Sequence, residues 1–232
     1  ILRWEQVADE EGANRWLVFI AYMMGLSVGV HLLNLLAIPA ITFVYYFKKH
    51  TVSWKGVVAA AMTSVVILGF VQTGIIPGIV EMSSKFELLF VNGAGLPFNT
   101  GALVHVLITI SLLVYAIYLT HQEKIDKTRL ILVIIGLTFL VGSFSTLSFV
   151  VIIGVVAGFY LVKDFSPRLV NTFLMSLAMI LIGYSSYTLI LVRSNANPPM
   201  DENDPETMFN LLSYLNREQY GSQPLLYGPY FN

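Results

Sequence analysis

Four histidines, no cysteine and a short acidic run hold much of the polar chemistry in this 232-residue chain. His31 and Asn34 are three residues apart, so a helix presents both on one face. They interrupt an apolar run, and polar groups at membrane depth are costly and often functional. Two roles fit them: capping a turn and satisfying its freed carbonyls, or contacting the phosphate or sugar of a ligand. His105 lies just past the start of another apolar run. It reads first as a packing histidine and second as a ligand contact. Asn99 belongs to Asn92-Gly93-Ala94-Gly95-Leu96-Pro97-Phe98-Asn99-Thr100-Gly101, where glycine permits unusual backbone angles and proline fixes one. A folded loop that brings backbone amides to a cavity and an ordinary turn both suit it. No strand precedes these glycines, which excludes a dinucleotide fingerprint.

Further along, Arg193 closes the last apolar run, where it either meets an anion or snorkels to the headgroups. Asp201, Glu202 and Asp204 then form a compact acidic cluster. Its oxygens suit a divalent cation such as Mg²⁺ or Mn²⁺, and equally a solvated helix start favoured by the helix dipole. Asp204 followed by Pro205 reads as an N-cap with proline at the first helical position. Met208, Leu211, Leu212 and Leu215 recur on one face, which predicts an amphipathic helix over 205–219. No Ser-His-Asp set, zinc-ligand spacing or GxxxxGK[ST] loop can be assembled.

The elements that must hold these groups follow from composition. The chain is 56% hydrophobic and 12% charged, with a mean hydropathy of +0.73, whereas a soluble domain carries about 25% charged residues. Its apolar runs of roughly 20 residues suit membrane crossing by helices, because an open sheet would leave backbone groups unpaired in lipid. The expectation is an all-α polytopic membrane protein. A net charge of −1 without a basic, aromatic-interleaved patch points to no nucleic-acid partner. Without cysteine there is no disulfide framework and no thiolate metal site.

Polar breaks at 48–55, 81–99, 120–129, 163–168 and after 192 leave apolar stretches at 16–47, 56–80, 100–119, 130–162 and 169–192. The first and fourth are too long for one crossing, and each is interrupted near its middle, at Gly25, Gly29, His31 and Asn34 and at Gly142–Thr146. The fourth therefore reads as two short helices joined by a turn, and the first by analogy likewise, giving about seven crossings. One tilted span over 16–47 is the alternative and would put Asp9, Glu10 and Glu11 outside. The basic loops around Lys48, Lys49 and Lys55, around Lys124, Lys127 and Arg129, and around Lys163 and Arg168 are placed in the cytoplasm by the positive-inside rule. That leaves 81–99 and the C-terminal segment outside. The organisation expected is an inner interfacial segment 1–15, a transmembrane domain 16–192 and an extracytoplasmic segment 193–232 that begins a larger soluble domain. Opening at Ile1 and closing at Tyr230-Phe231-Asn232 in mid-pattern, the chain reads as an internal piece of a longer protein.

The stretch RSNANPPMDENDPETMFNLLSYLNREQY from Arg193 to Tyr220, with GLSVGVHLLNLLAIPAI at 25–41 and GLPFNTG at 95–101, resembles a bacterial family of unknown function grouped with protein O-mannosyltransferases. Eukaryotic transmembrane protein 260 is similar. The resemblance implies a GT-C type glycosyltransferase that uses a polyprenyl-phosphate sugar on the outer face of a bacterial inner membrane. Membrane lipid, that sugar donor, a protein acceptor and a larger membrane complex are then the expected partners. It also implies a catalytic carboxylate in the first outer loop, upstream of Ile1. His31 would then sit near the lipid phosphate.

Two other classes compete with the enzyme. A transporter or flippase needs a path through the midplane; Gln72 and Thr73 are polar there, but no charged residue sits in the middle of a span, which disfavours ion coupling. A non-catalytic membrane subunit docking a partner through its outer segment shares every feature above.

Overall fold

The computed structural model describes residues 1–122, 125–161 and 166–221, and those residues are helical without strands. In chain order the helices are α1 (Leu2–Val7), α2 (Asn14–Val28), α3 (Ala37–Lys49), α4 (Trp54–Gly69), α5 (Ile76–Glu87), α6 (Thr100–Leu119), α7 (Lys127–Gly142), α8 (Thr146–Leu161), α9 (Pro167–Tyr184), α10 (Thr188–Ser194) and α11 (Met208–Asn216). Local chemistry sets several of the starts. Ser53 caps α4 by accepting the Gly56 amide at 3.1 Å, and Asp126 caps α7 by accepting that of Arg129 at 3.1 Å. Pro167 opens α9 at the first helical position, where its missing N–H costs nothing.

Among the described residues, three continuous helices are long and apolar enough to cross a membrane: Trp54–Gly93, Thr100–Leu119 and Pro167–Ser194. The chain is membrane-embedded. The two long apolar stretches are each a pair of short helices, as their mid-run breaks require. α2 and α3 are joined through Gly29, Val30 and a 3₁₀ turn at Leu32–Leu36, and α7 and α8 are joined at Ser143–Ser145. At the tip of the second pair Ser143 is fully buried with φ 54°, a left-handed conformation that is strained for a residue with a side chain.

The first long helix departs from its expected bounds. Residues 81–93 are helix rather than loop: α4 continues through a π turn at Phe70–Ile75 into α5 and a second π turn at Leu88–Gly93, which leaves only the turn before Thr100 irregular. Its 40 residues reach about 60 Å at 1.5 Å each, roughly twice the hydrocarbon thickness. The first π turn directly precedes Pro77, whose ring removes one helical N–H and crowds the carbonyl four residues back. Polar residues at 81–87 broke the apolar pattern, yet they pack: Ser83, Ser84 and Glu87 are all buried against neighbouring helices.

Small residues set how closely the helices approach. α2 and α9 run side by side, with Gly25 against the Ile180 carbonyl and Gly183 so near α2 that an added Cβ would lie 2.6 Å from the Leu26 nitrogen and the Tyr22 oxygen. Helices in lipid gain little from apolar burial alone, so close backbone packing at glycine carries much of their association. A core of Val28, Leu35, Ile38, Val71, Ile75, Ile76, Val141 and Tyr184 joins both hairpin tips to the π turn and α9. Within it the Tyr184 hydroxyl donates to the Ile76 carbonyl at 2.8 Å, a carbonyl at the irregular stretch beside Pro77.

The bundle has two chemically different ends. Asn14 donates to Thr172 Oγ1 at 3.0 Å, Asn171 to Thr120 Oγ1 at 2.8 Å and Lys49 to the Ala8 carbonyl at 2.6 Å. These contacts gather the starts of α2 and α9 and the ends of α3 and α6 at one end. Arg3, Arg15, Lys48, Lys49, Lys55, Lys127, Arg129 and Arg168 lie there, whereas Lys85, Arg193 and Arg217 lie toward the far end. Lys124 and Lys163 fall outside the described residues. α1 closes the basic end by burying Trp4 against Tyr45, with ring centroids 5.2 Å apart, and against Trp16, Leu17 and Val44.

Candidate functional site at the far end

The first hairpin turns at His31, and that residue builds its own turn. Its backbone is extended, its Nδ1 accepts the Leu33 amide at 3.1 Å, and the 3₁₀ turn Leu32–Leu36 starts from it. Because Nδ1 accepts, the neutral ring carries its proton on Nε2. His31 is exposed, and its Nε2–H has no hydrogen-bond partner among the described residues while Nδ1 caps the turn. The capping and ligand-contact readings are therefore compatible in one side chain. Asn34 is exposed on the same turn, and its amide N–H donates to the His31 carbonyl at 3.1 Å. Gly29 brings this tip against α9 where that helix is interrupted: an added Cβ would lie 3.4 Å from Ser186 Oγ, at the 3₁₀ turn Ser185–Tyr187.

Arg193 lies in the last turn of α10, one to two turns beyond that interruption, and is exposed. The far end thus carries His31, Asn34 and Arg193 together as exposed polar groups. No contact joins His31 to Arg193 among the described residues.

Asn99 and His105 have other surroundings. Asn99 takes a left-handed conformation with φ 69° just before α6, and its amide donates to Glu87. The other Glu87 oxygen accepts the Ala102 amide at 3.0 Å. A buried carboxylate on α5 therefore caps α6 from outside that helix, where the positive end of the dipole favours it. Gly101 permits the approach, since a Cβ there would collide with the Phe86 and Glu87 backbone. His105 is 1% exposed with both nitrogens engaged. Its Nε2 contacts the Leu140 carbonyl at 2.9 Å and must donate, so Nδ1 accepts from the Ser83 hydroxyl at 2.8 Å. This residue links α5, α6 and α7.

The acidic cluster is dispersed. Asp201 accepts from Ser194 Oγ at 2.7 Å, and Glu202 accepts from Gln219 and the Tyr220 hydroxyl, each at 3.1 Å. Asp204 contributes its backbone carbonyl to Asn210 at 2.8 Å. Among the described residues no three carboxylates or histidines converge as a cation would require. Asp204 is also not an N-cap: its φ is 46°, and the helix starts later, with Thr207 accepting the Asn210 amide at 3.2 Å. α11 therefore covers Met208–Asn216 rather than 205–219, and packs against α5 through buried Leu211. Pro205 is fully buried ahead of it.

Sequence reasoning passed over two polar groups here. Glu87 sat in a stretch read as loop, where an acidic residue carries no signal of its own. Lys85, in the same stretch, carries no signal of its own in the sequence either. Its Nζ bonds Glu81 at 2.6 Å and Ser143 Oγ at 3.1 Å, and lies 5.4 Å from the centre of the Phe144 ring. It ties α5 to the tip of the second hairpin.

The matched family bears on the first of these elements. Residues 1–54 match the family model of the protein O-mannosyl-transferase TMEM260 N-terminal domain. The chain resembles that family. The TMEM260-like segment holds α1, α2, the tip with His31 and Asn34, and α3, and so includes GLSVGVHLLNLLAIPAI at 25–41. The stretches at 95–101 and 193–220 lie beyond the matched residues. No curated protein and no solved structure matches the chain.

Proposed function

We propose that this chain serves in a membrane glycosyltransferase of the protein O-mannosyltransferase type, holding a polyprenyl-phosphate-linked sugar at the far end of the bundle. On this reading the membrane is a bacterial inner membrane, with the basic end in the cytoplasm and the far end outside. The observation that carries the reading is the family match over 1–54, together with the free Nε2–H of His31 at the tip within that segment. Glycosyl transfer breaks the bond between the sugar's anomeric carbon and the phosphate oxygen. The acceptor hydroxyl oxygen bonds that carbon and its proton passes to a base. The departing phosphate needs donors at the membrane surface, because an unpaired anion beside apolar matter is expensive. His31 and Arg193 are the donors of suitable type, with Asn34 beside His31. The distribution of basic residues between the two ends supports the orientation.

Binding of a polyprenyl phosphate to the full chain tests this assignment. His31→Ser separates capping from binding, because serine still caps the turn but is too short to place a donor where Nε2 stands. His31→Ser and Arg193→Ala are each expected to lower affinity about tenfold, or ~1.4 kcal/mol. Lys55→Ala, at the opposite end, is expected to bind as wild type. Unchanged affinity in both far-end variants removes these residues from the site.

A further inference from the structure

At the basic end the helix termini enclose an open cleft of ≈ 720 Å³, a size within the roughly 300–1,000 Å³ of small-molecule sites. Its two sides differ in charge. Residues 8–14 and Lys49 form one side, including Asp9, Glu10 and Glu11; the end of α6 and the start of α9 form the other, with Thr120, His121, Arg168, Asn171 and Thr172. Lys49 does not serve the cavity, because its ammonium is held by the Ala8 carbonyl at 2.6 Å and Asp9 Oδ1 at 2.9 Å. Asp9 is neutralised by the same contact. His121 is turned back on its own helix, with Nδ1 2.9 Å from the Ile117 carbonyl. What remains is Glu10 and Glu11 on one side and Arg168 on the other, all exposed and without an ion pair among the described residues.

The positive ends of α2 and α9 both border this space, and neither helix carries a side-chain cap. They reinforce Arg168 toward an anion. The Asn14–Thr172 and Asn171–Thr120 bonds hold α2, α6 and α9 together, so the frame of the cleft is braced. The cleft also lies where membrane-crossing helices end, which is the depth of lipid headgroups. Exposed aromatic residues mark that depth at the same end: Trp54, Tyr118 and Tyr160 are 79%, 57% and 76% exposed, as expected of an interfacial belt.

We propose that this cleft holds the headgroup of an aminophospholipid of the phosphatidylethanolamine type. Its primary ammonium faces Glu10 and Glu11, and its phosphate faces Arg168 and the positive ends of α2 and α9. A purely anionic headgroup meets two carboxylates that are unpaired among the described residues, and a purely cationic ligand meets Arg168. Only a ligand with both charges matches both sides. A primary ammonium brings three N–H donors to the carboxylates, whereas a trimethylated one brings none. This site lies at the opposite end from the one assigned to the sugar donor and does not rest on that assignment.

Lipid retention by the full chain, measured by native mass spectrometry and by thermal stabilisation, discriminates three headgroups of matched acyl composition. Phosphatidylethanolamine is expected to be retained several-fold over both phosphatidylcholine and phosphatidylglycerol. Glu10→Gln with Glu11→Gln is expected to abolish the preference over phosphatidylcholine. Arg168→Gln is expected to weaken retention of phosphatidylethanolamine about tenfold, while Arg129→Gln, at the same end but outside the cleft, leaves it unchanged. Equal retention of the three lipids by the wild-type chain, or a preference for phosphatidylglycerol, overturns the proposal without recourse to any variant. So does full displacement by soluble phosphoethanolamine at the concentration of the lipid, which would make the ligand a soluble zwitterion instead.

Discussion

Glu87 accepts the Ala102 amide at 3.0 Å from a different helix, so the start of α6 is capped by a carboxylate fifteen residues earlier in the chain. The same carboxylate also receives the Asn99 amide, and Glu87 is 3% exposed. One buried group thereby fixes the turn 94–99 and orients α6 against α5.

Loss of that cap should be measurable. Glu87→Ala leaves two amides without their partner and is expected to destabilise the chain by about 1–2 kcal/mol, by comparison with other cap deletions. Gly101→Ala should destabilise by a different route, since its Cβ meets the Phe86 and Glu87 backbone. Thermal unfolding in detergent checks both. Wild-type stability of Glu87→Ala contradicts the cap, and that of Gly101→Ala contradicts the close approach of α5 and α6.

A second expectation concerns pH. The Asp9 carboxyl is held below its ordinary value of 3.8, first by the hydrogen bond from Lys49 and then by that residue's charge. A carboxyl depressed on folding contributes stability above its unfolded value and loses it as pH falls through the folded one. The Asp9–Lys49 contact's small contribution to holding residues 1–13 on α3 should therefore be present at neutral pH and be lost as pH falls below the ordinary carboxyl value, while buried Trp4 and Val7 keep most of the docking. Fluorescence of Trp4 in a Trp16→Phe, Trp54→Phe background reports this docking through its stacking on Tyr45. Asp9→Asn should remove the transition; a transition that persists unchanged assigns it to another group.

The third expectation is topological. Met200 is 93% exposed near the far end and Val52 is 67% exposed at the basic end. Single cysteines at these positions should react with an impermeant reagent from opposite sides of the membrane, Met200→Cys from outside. Ser83, in contrast, is buried against His105, so a cysteine there should resist labelling from either side. Labelling of Met200→Cys and Val52→Cys from one side would refute the arrangement of the ends.

Much of the architecture was legible because lipid imposes simple rules. An apolar run at 100–119 became α6 at the same bounds, and the runs too long for one crossing broke where polar and small residues interrupt them, at Gly29 and Gly142. Hydropathy and spanning length act locally, so one sequence suffices to read them. The tip position of His31 followed from the same reasoning. Other features depend on partners remote in sequence. The polar residues 81–87 looked like loop until burial against α6 and α7 made them helix interior, and no pattern marks Glu87 as the cap of α6. Asp204 and Pro205 looked like a helix start, but the backbone turns left-handed at Asp204 and Thr207 takes that role. Adjacent carboxylates at 201–204 suggested one cation site, yet those of Asp201 and Glu202 bond different neighbours, and Asp204 contributes its backbone carbonyl instead. Chain neighbours in an irregular segment need not point the same way. Conversely, Glu10 and Arg168 are 158 residues apart in the numbering and line one cleft only because α2 and α9 pack together at Gly25 and Gly183. Sequence alone determined which segments are apolar enough to cross lipid and where the two longest runs must turn; tertiary packing decided which polar groups are consumed as structure and which remain available, because a hydrogen-bonding group's availability is set by what lies within about 3 Å of it.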